Sequence, residues 1–287
     1  AFHRRGVAFG RRGIPLVKRV RRFLQLVHAI GARICDPLDL VGRVAHAAFV
    51  GGGVQYIRHR HIQSVRRAPP RETIKKHPAF LGVDLADSDD LCSVSLVVPS
   101  YRNEKTYYSC YADAWVPRDS IESSTSQRSR DDCRMFRGWA DAGYLKVSEG
   151  PLVDYSEVES FLLEMSRKYN IIALGYDRYN AHGLMTTLSR SGIKTIAIAQ
   201  TWAGMSGATK EFKNAILESR IDWEESPVIE WCVGNMAVKQ SNHGDVLPSK
   251  SSSVGKIDVA VSKIMAISIA EPWIRKHAAQ TQKPVFF

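Results

Sequence analysis

Short apolar runs separated by polar turns mark out most of the chain. The runs at residues 81–86, 91–99 and 106–115 carry many β-branched and aromatic side chains, and polar residues follow the first two of them. Runs of this length bounded by such turns are typical of β-strands joined as hairpins. The pattern therefore predicts three consecutive strands in a meander, with an acidic turn at residues 87–90 and a second turn at Arg102-Asn103-Glu104.

Two later runs are apolar almost without interruption, at residues 171–176 and 194–199. Such runs are typical of parallel strands that are covered on both faces. Apolar residues at helical spacing lie between and beyond them. The predicted helices cover residues 153–169, capped by Asp154 or Ser156, then residues 180–191, 206–219 and 228–239, and a last helix that begins near Asp258. This alternation predicts an α/β fold with a sheet flanked by helices.

Three aspartates stand at the ends of predicted elements. Asp84 lies in the first strand of the meander, and it must face away from its apolar neighbours because side chains alternate along a strand. Asp177 ends a buried strand, where ligands collect in open α/β sheets. Asp258 lies in the first turn of a helix, where the helix dipole favours an anion. A crossover through the helix at residues 153–169 would place the Asp177 strand beside the Asp84 strand.

Three carboxylates brought together in this way are suited to two divalent cations. Mg²⁺ and Mn²⁺ prefer carboxylate oxygens. Two such ions roughly 4 Å apart can hold the attacking and leaving oxygens of a phosphodiester in line. Plainer explanations exist for single residues: Asp84 as a strand-end acid that pairs with a lysine, and Asp258 as an ordinary acid of a helix N-terminus.

Six segments carry a resemblance to a known family. They are GVDLADSDDL around Asp84, WADAGYL, GYDRYNA around Asp177, AIAQTWAGMS with Gln200, WCVGNMAV with Asn235, and GKIDVAVSKIMA around Asp258. Their order and spacing over residues 78–273 resemble the nuclease domain of tailed-phage (HK97-like) terminase large subunits, which is similar to the RNase H superfamily. The resemblance therefore implies an RNase H-like mixed sheet flanked by helices.

The same resemblance implies a function. Members of the family cleave concatemeric double-stranded viral DNA during genome packaging, as metal-dependent endonucleases. Carried over to this chain, it makes Asp84, Asp177 and Asp258 the catalytic, metal-binding carboxylates for two Mg²⁺ or Mn²⁺ ions. Gln200 and Asn235 would support the site, although Gln200 could instead cap a loop and Asn235 could hydrogen-bond within the core. The implied partners are double-stranded DNA, the terminase small subunit and the capsid portal, in the host cytoplasm.

An ATPase motor precedes the nuclease in this family, and such a motor needs a phosphate-binding glycine loop that ends in Gly-Lys-Ser/Thr. No segment of this chain has that spacing. We therefore expect no ATP hydrolysis of the family's kind, and we expect the chain to be a fragment, a separated nuclease or the remnant of a prophage gene. A non-catalytic docking module and a junction-resolvase or transposase-like RNase H core are the alternatives to a packaging nuclease.

The formal charge of +11 is concentrated at one end of the chain. Residues 1–76 contain 17 Lys and Arg against 3 Asp and Glu, whereas the remaining residues contain 23 against 26. We predict two parts: a basic, helical or poorly ordered segment at residues 1–76, which could attract phosphate non-specifically, and a nuclease domain at residues 77–287. Apolar residues at helical spacing within residues 14–34 predict a basic amphipathic helix there. An alternative is that residues 1 to about 75 are a frameshifted or mis-started reading of the lost motor region.

Several basic side chains are candidates for DNA contact. They lie beside the third acid or on predicted helices: Lys256, Lys210, Lys213, Arg130 and Arg134. Each has a plainer interpretation as a solvated residue or as the ion-pair partner of a nearby acid. No apolar run reaches the ~20 residues that a membrane-spanning helix needs. The five cysteines form no close pair that would indicate a zinc site or a disulfide framework.

Overall fold

An eight-stranded mixed sheet with helices on both faces forms the centre of the computed structural model, which describes residues 55–85, 91–122, 127–178 and 181–281. The strands are β1 (Arg66–Arg67), β2 (Pro78–Asp84), β3 (Cys92–Arg102), β4 (Lys105–Pro117), β5 (Lys146–Ser148), β6 (Asn170–Tyr176), β7 (Thr195–Ala197) and β8 (Ile221–Trp223), with a separate hairpin of β9 (Val238–Gln240) and β10 (Val246–Pro248). The helices are α1 (His59–Gln63), α2 (Arg118–Glu122), α3 (Gln127–Asp141), α4 (Tyr155–Lys168), α5 (His182–Arg190), α6 (Trp202–Leu217), α7 (Pro227–Asn235) and α8 (Asp258–Thr281).

The predicted meander is confirmed. Strands β2, β3 and β4 pair antiparallel in sequence order, and the full path through the sheet is β1-β8-β4-β3-β2-β6-β7, with β5 beside β4. Asn103 and Glu104 join β3 to β4 with φ values of 49° and 60°. Two consecutive residues with positive φ form the hairpin turn whose twist matches that of the flanking strands. The two long strands are thereby held in register from Arg102–Lys105 to Cys92–Trp115.

The predicted crossover is also confirmed. Helix α4 begins after Asp154, whose side chain accepts a hydrogen bond from the backbone N–H of Ser156 at 2.8 Å. Such a cap satisfies one of the N–H groups that have no partner within the helix. The chain then enters β6, which pairs in parallel with β2, and Tyr176 lies opposite Val83. The carboxyl ends of β2 and β6 therefore lie next to each other.

One face of the sheet packs against α4 and α5. Its core contains side chains from alternate positions of β2 and β3, which contact the apolar stripes of these two helices. The buried members from the strands are Ala79, Leu81, Val83, Cys92, Val94, Leu96 and Val98. The intervening residues of both strands, among them Asp84, consequently face the other side of the sheet.

That other side is covered by α8. Gly82 permits the close approach, because a Cβ atom there would lie 1.9 Å from the backbone oxygen of Ser262. Beside it the hydroxyls of Ser95 and Ser262 hydrogen-bond at 2.9 Å. Further along the helix, Trp273 packs edge-on against Phe80 at 5.5 Å between ring centroids. Helix α8 therefore runs along β2, with its first residue at the Asp84 end of the strand.

Residues 55–76 belong to the same fold, although the charge pattern grouped them with the basic segment. Strand β1 pairs in parallel with β8 at the edge of the sheet. Ile57, Ile62 and Ile74 are at most 1% exposed. A paired strand and buried apolar side chains are evidence that residues 55–75 are not a frameshifted or mis-started reading. The amphipathic helix predicted at residues 14–34 and the acidic turn at residues 87–90 lie outside the described residues.

The end of one predicted helix is corrected. The helix predicted at residues 228–239 ends at Asn235, and Val238–Gln240 is a strand, because Met236 adopts an extended conformation (φ −64°, ψ 119°) that ends the helix. Among the described helices, none is long and apolar enough to cross a membrane.

Candidate functional site

Three separate elements bring the predicted aspartates to one edge of the sheet. Asp84 is the last residue of β2, Asp177 directly follows β6, and Asp258 is the first residue of α8. The register between Val83 and Tyr176 makes Asp84 and Asp177 neighbours at adjacent strand ends. The packing of α8 along β2 brings Asp258 to the same place. The predicted convergence of the three acids is therefore present in the structure.

Two of these carboxylates share one cation. Asp84 is 3% exposed and Asp258 is completely buried. The ammonium of Lys250 lies 2.5 Å from Asp258 Oδ1 and 3.4 Å from Asp84 Oδ2. Burying a carboxylate is costly unless a positive charge or hydrogen bonds compensate it. The lysine supplies that compensation.

The electrostatics of Asp84 reflect the crowding of negative charge at this edge. Burial raises the pKa of Asp84 well above its ordinary value, the negative charges of Asp258 and Asp177 raise it further, and Lys250 lowers it. Both neighbouring acids therefore lie close enough to Asp84 to disfavour its ionised form. Additional positive charge at this place would relieve the repulsion among the three carboxylates.

The side chains around Asp84 fit a divalent cation in their chemistry. Asp84 Oδ2 is buried with only the 3.4 Å contact to Lys250, which lacks hydrogen-bond geometry. The buried hydroxyl of Ser93, which lies opposite Asp84 on β3 and on the same face of the sheet, has no hydrogen-bond partner. Carboxylate and hydroxyl oxygens are the donors that hard cations prefer. Among the described residues, however, no three His, Cys, Asp or Glu side chains are arranged as a finished metal site. The Lys250 ammonium lies between two of the three acids instead.

Lys250 is a site residue that the sequence analysis missed. It begins a one-turn 3-10 helix (Lys250–Ser252), and Ser249 caps that turn by accepting a hydrogen bond from the N–H of Ser252. The backbone N–H of Ser249 donates to Ala237 O at 3.0 Å, which ties the turn to the end of α7. In the sequence, a lysine beside a run of serines looks like part of a solvated loop. Only its proximity to Asp84 and Asp258 in the fold distinguishes it.

The two predicted supporting residues differ in their positions. Asn235 is buried at the end of α7, and its side-chain nitrogen donates to the backbone oxygen of Lys256 at 3.4 Å. It therefore helps to position the segment that leads into Asp258. Gln200 lies exposed in the turn before α6.

The predicted DNA contacts lie on several surfaces. Arg134 on α3 is 81% exposed at 3.8 Å from Asp131, and Arg130 is exposed on the same helix. On α6, Lys210 lies 3.8 Å from Asp245, and the ammonium of Lys213 lies 4.2 Å from the ring centroid of Tyr56. Lys256 is half-buried before α8. The structure therefore does not gather these five side chains into one cluster beside the acids.

Comparisons with known proteins agree with this fold and these segments. The family model "Terminase large subunit, endonuclease domain" matches residues 59–272, so the match begins earlier than the expected start at residue 78. Protein YmfN of Escherichia coli strain K12 is 32% identical over 206 residues, which are 69% of this chain and 44% of YmfN. The terminase large subunit of Enterobacteria phage HK97 is 23% identical over 193 residues, which are 67% of this chain and 37% of that protein. The chain thus spans less than half the length of these relatives.

A solved structure shows the same architecture. The crystal structure of the HK97 large terminase superposes with a TM-score of 0.66 at 20% identity, over 75% of this chain and 43% of that one. At this identity the similarity establishes the fold. Since the family model covers most of the chain, and the sheet with its flanking helices has the expected RNase H-like topology, the chain belongs to the family of terminase large subunit endonuclease domains.

Proposed function

We propose that this chain is a metal-dependent endonuclease that hydrolyses phosphodiester bonds of double-stranded viral DNA during genome packaging. Asp84, Asp177 and Asp258 would be its catalytic carboxylates, and they would hold two Mg²⁺ or Mn²⁺ ions. The observation that carries the proposal is the meeting of three acids from distant segments at one sheet edge, where two of them are buried and contact the ammonium of Lys250.

The protein's own contribution is to hold the carboxylates in place. Asp84 is fixed at the end of a central strand, and Asp258 is fixed by a helix that contacts that strand at Gly82. Asp177 is half-buried and follows β6 at the neighbouring strand end. Bound divalent ions would supply the chemistry of lowering the pKa of an attacking water and stabilising the negative charge of the leaving oxygen. Burial restricts the rotamers of Asp84 and Asp258, so little reorganisation would be needed on binding.

The proposed substrate path lies outside this rigid edge. We assign Arg134 and Lys210, whose side chains are 81% and 46% exposed, to non-specific phosphate contacts, with Lys213, Lys256 and Arg130 as further candidates. Such contacts position DNA without reading its sequence. In the packaging role, the portal and the terminase small subunit in the host cytoplasm would be the protein partners.

Plasmid cleavage tests the proposal. The purified chain should nick or linearise supercoiled plasmid in Mn²⁺ or Mg²⁺ and should be inactive in EDTA. Asp84→Asn, Asp177→Asn and Asp258→Asn should each reduce the rate by at least about 10²-fold, because each removes a negatively charged ligand of the same metal site. The rate is measured from the disappearance of supercoiled DNA on gels.

Asp141→Asn is the matched control, since Asp141 is an exposed aspartate at the end of α3. It should cut at the parent's rate. Circular dichroism establishes that every variant is folded. A folded parent that never cuts, or aspartate variants that cut as well as the parent, would exclude the catalytic assignment and favour a non-catalytic remnant.

A further inference from the structure

The Lys250 ammonium occupies the space between two buried carboxylates. It lies 2.5 Å from Asp258 and 3.4 Å from Asp84, and both acids are almost completely inaccessible. The lysine side chain, in contrast, is 41% exposed. It therefore reaches the acids from the solvent side, which is also the side from which an ion in solution would arrive.

One ammonium compensates this site only in part. Asp84 Oδ2 has only the long 3.4 Å contact with the Lys250 ammonium, without the geometry of a hydrogen bond, and the buried Ser93 hydroxyl has no hydrogen-bond partner. An ammonium has three N–H donors and no acceptor, so it cannot accept the proton of a serine hydroxyl. A divalent cation carries twice the charge and coordinates several oxygen atoms at once. The buried oxygen atoms of Asp84, Asp258 and Ser93 thus suit such an ion better than they suit the ammonium of the lysine.

The turn that carries Lys250 is held by its own hydrogen bonds, whereas the contacts of the Lys250 side chain with the acids are made by its ammonium. Hydrogen bonds among Ser249, Ser252 and Ser253 hold the backbone, and the Ser253 hydroxyl accepts from the N–H of Ala237 at 3.0 Å. The four-carbon stem of a lysine is flexible and changes rotamer readily. The ammonium can therefore leave the acids without any rearrangement of the turn.

We propose that Lys250 is the resident counter-ion of Asp84 and Asp258, and that a divalent metal ion binds by displacing its ammonium. This inference rests on the proposed function, because it takes these acids to be metal ligands. In the metal-free protein the lysine stabilises two buried carboxylates that would otherwise repel each other. In the metal-bound protein its charge is released towards solvent at the mouth of the site.

Lysine labelling on the unaltered chain tests the displacement directly. The protein is treated briefly with an amine-acetylating reagent, with and without Mg²⁺ and with no DNA present, and acetylation at each lysine is measured by mass spectrometry. Lys250 should be protected without Mg²⁺ and react at least about three-fold faster with it, because an ion-paired ammonium is a poor nucleophile. Lys239, exposed on the β9–β10 hairpin, is the internal control and should not change.

Metal binding to Lys250→Met gives a second readout. Titration calorimetry with Mg²⁺ under mildly alkaline conditions, which keep the acids ionised, should show binding about ten-fold tighter than in the parent, since no charge-assisted hydrogen bond has to be broken. Lys239→Met should bind as the parent does. If Lys250→Met is less stable, its melting temperature should rise more steeply with Mg²⁺ than that of the parent.

The outcomes separate this inference from the proposed function. If Mg²⁺ binds and the aspartate variants abolish cleavage, but Lys250 labelling is unchanged by Mg²⁺ and Lys250→Met binds no more tightly, the displacement is excluded and the nuclease assignment stands. If neither protein binds Mg²⁺ and the folded parent does not cut plasmid, both proposals are wrong. Increased labelling of Lys250 together with tighter binding in Lys250→Met supports the exchange.

Discussion

At the scale of single residues, strand alternation decides which side chains reach the site. Val83 faces the apolar core under α4 and α5, so Gly82 and Asp84 face α8. The glycine admits the helix, and the helix delivers Asp258 to the aspartate. A shift of one residue in the register of β2 would exchange the two faces and bury Asp84 in the apolar core.

Gly82→Ala tests this close approach. The new Cβ would lie 1.9 Å from Ser262 O and 2.7 Å from the N atom of Ala266, both of which are helix backbone atoms that cannot rotate away. The substitution should lower the free energy of unfolding by about 1–3 kcal/mol or more through overpacking. Chemical denaturation followed by circular dichroism measures the change.

Gly207→Ala provides the contrast for that measurement. Gly207 lies within α6, and a Cβ there would meet nothing within 4 Å. Replacing a glycine by alanine at an exposed position within a helix should raise the free energy of unfolding by about 0.5–1 kcal/mol. If both substitutions had the same effect, the proposed tight contact between β2 and α8 would be wrong.

At the scale of elements, an ion cluster fastens the segment before β2 to the sheet. Arg71 donates two hydrogen bonds to Glu224, at 2.9 and 2.6 Å, and one to Asp113 at 2.8 Å. Asp113 lies in β4, and Glu224 directly follows β8. The guanidinium therefore links three parts of the chain, and its planar shape matches the two-point contact with a carboxylate.

Arg71→Met should weaken this connection. The arginine side chain is 24% exposed, and its removal leaves Glu224 without its bidentate partner. Asp113 would keep its other ion pair, with Lys146 at 3.1 Å. We expect the free energy of unfolding to fall by about 1–3 kcal/mol, since a partly buried carboxylate loses its compensating charge. Thermal or denaturant unfolding measures it.

Arg118→Met is the appropriate comparison for Arg71→Met. Arg118 also pairs with two acids, Glu149 and Glu122, but this pair lies at the surface, where solvent screens the charges. Its removal should change stability little. An equal decrease in the free energy of unfolding of the two variants would show that the Arg71 cluster stabilises the fold no more than a surface ion pair does.

At the scale of the whole molecule, charge is separated along the chain. Residues 1–76 carry a net charge of +14, whereas the remainder carries −3. The part that would hold metal ions is thus acidic, and DNA attraction has to come from the basic segment or from local patches. Residues 1–54 alone contain 10 Lys and Arg against 2 Asp and Glu.

Deletion of residues 1–54 should therefore weaken binding to plasmid DNA at low salt and leave Mg²⁺ affinity unchanged. The logarithm of the binding constant should also fall less steeply with the logarithm of the salt concentration, because each phosphate that the segment neutralises adds about 0.9 to the slope. Fluorescence anisotropy with labelled duplex DNA over a range of salt concentrations measures the slope. An unchanged slope would show that the basic segment neutralises no phosphates.

Much of the fold follows from local patterns in the sequence. The meander, the Asp154 cap, the crossover into β6 and the first-turn position of Asp258 were predicted, because strand alternation, capping and helical spacing are properties of neighbouring residues. The end of α7 was predicted too late. Apolar residues continue to Ala237 and Val238, and no local signal shows that the chain leaves the helix to form the β9–β10 hairpin.

The sequence by itself determined the three aspartates and their places at the ends of elements. Only the tertiary structure decided that Lys250 lies between Asp84 and Asp258, that the Ser93 hydroxyl is buried opposite Asp84 without a hydrogen bond, and that Gln200 is exposed. The physical reason is distance along the chain. Asp84 and Lys250 are far apart in sequence, and their contact depends on how closely α8 packs on β2 and on where the serine-rich turn is tied to α7, which no local pattern records.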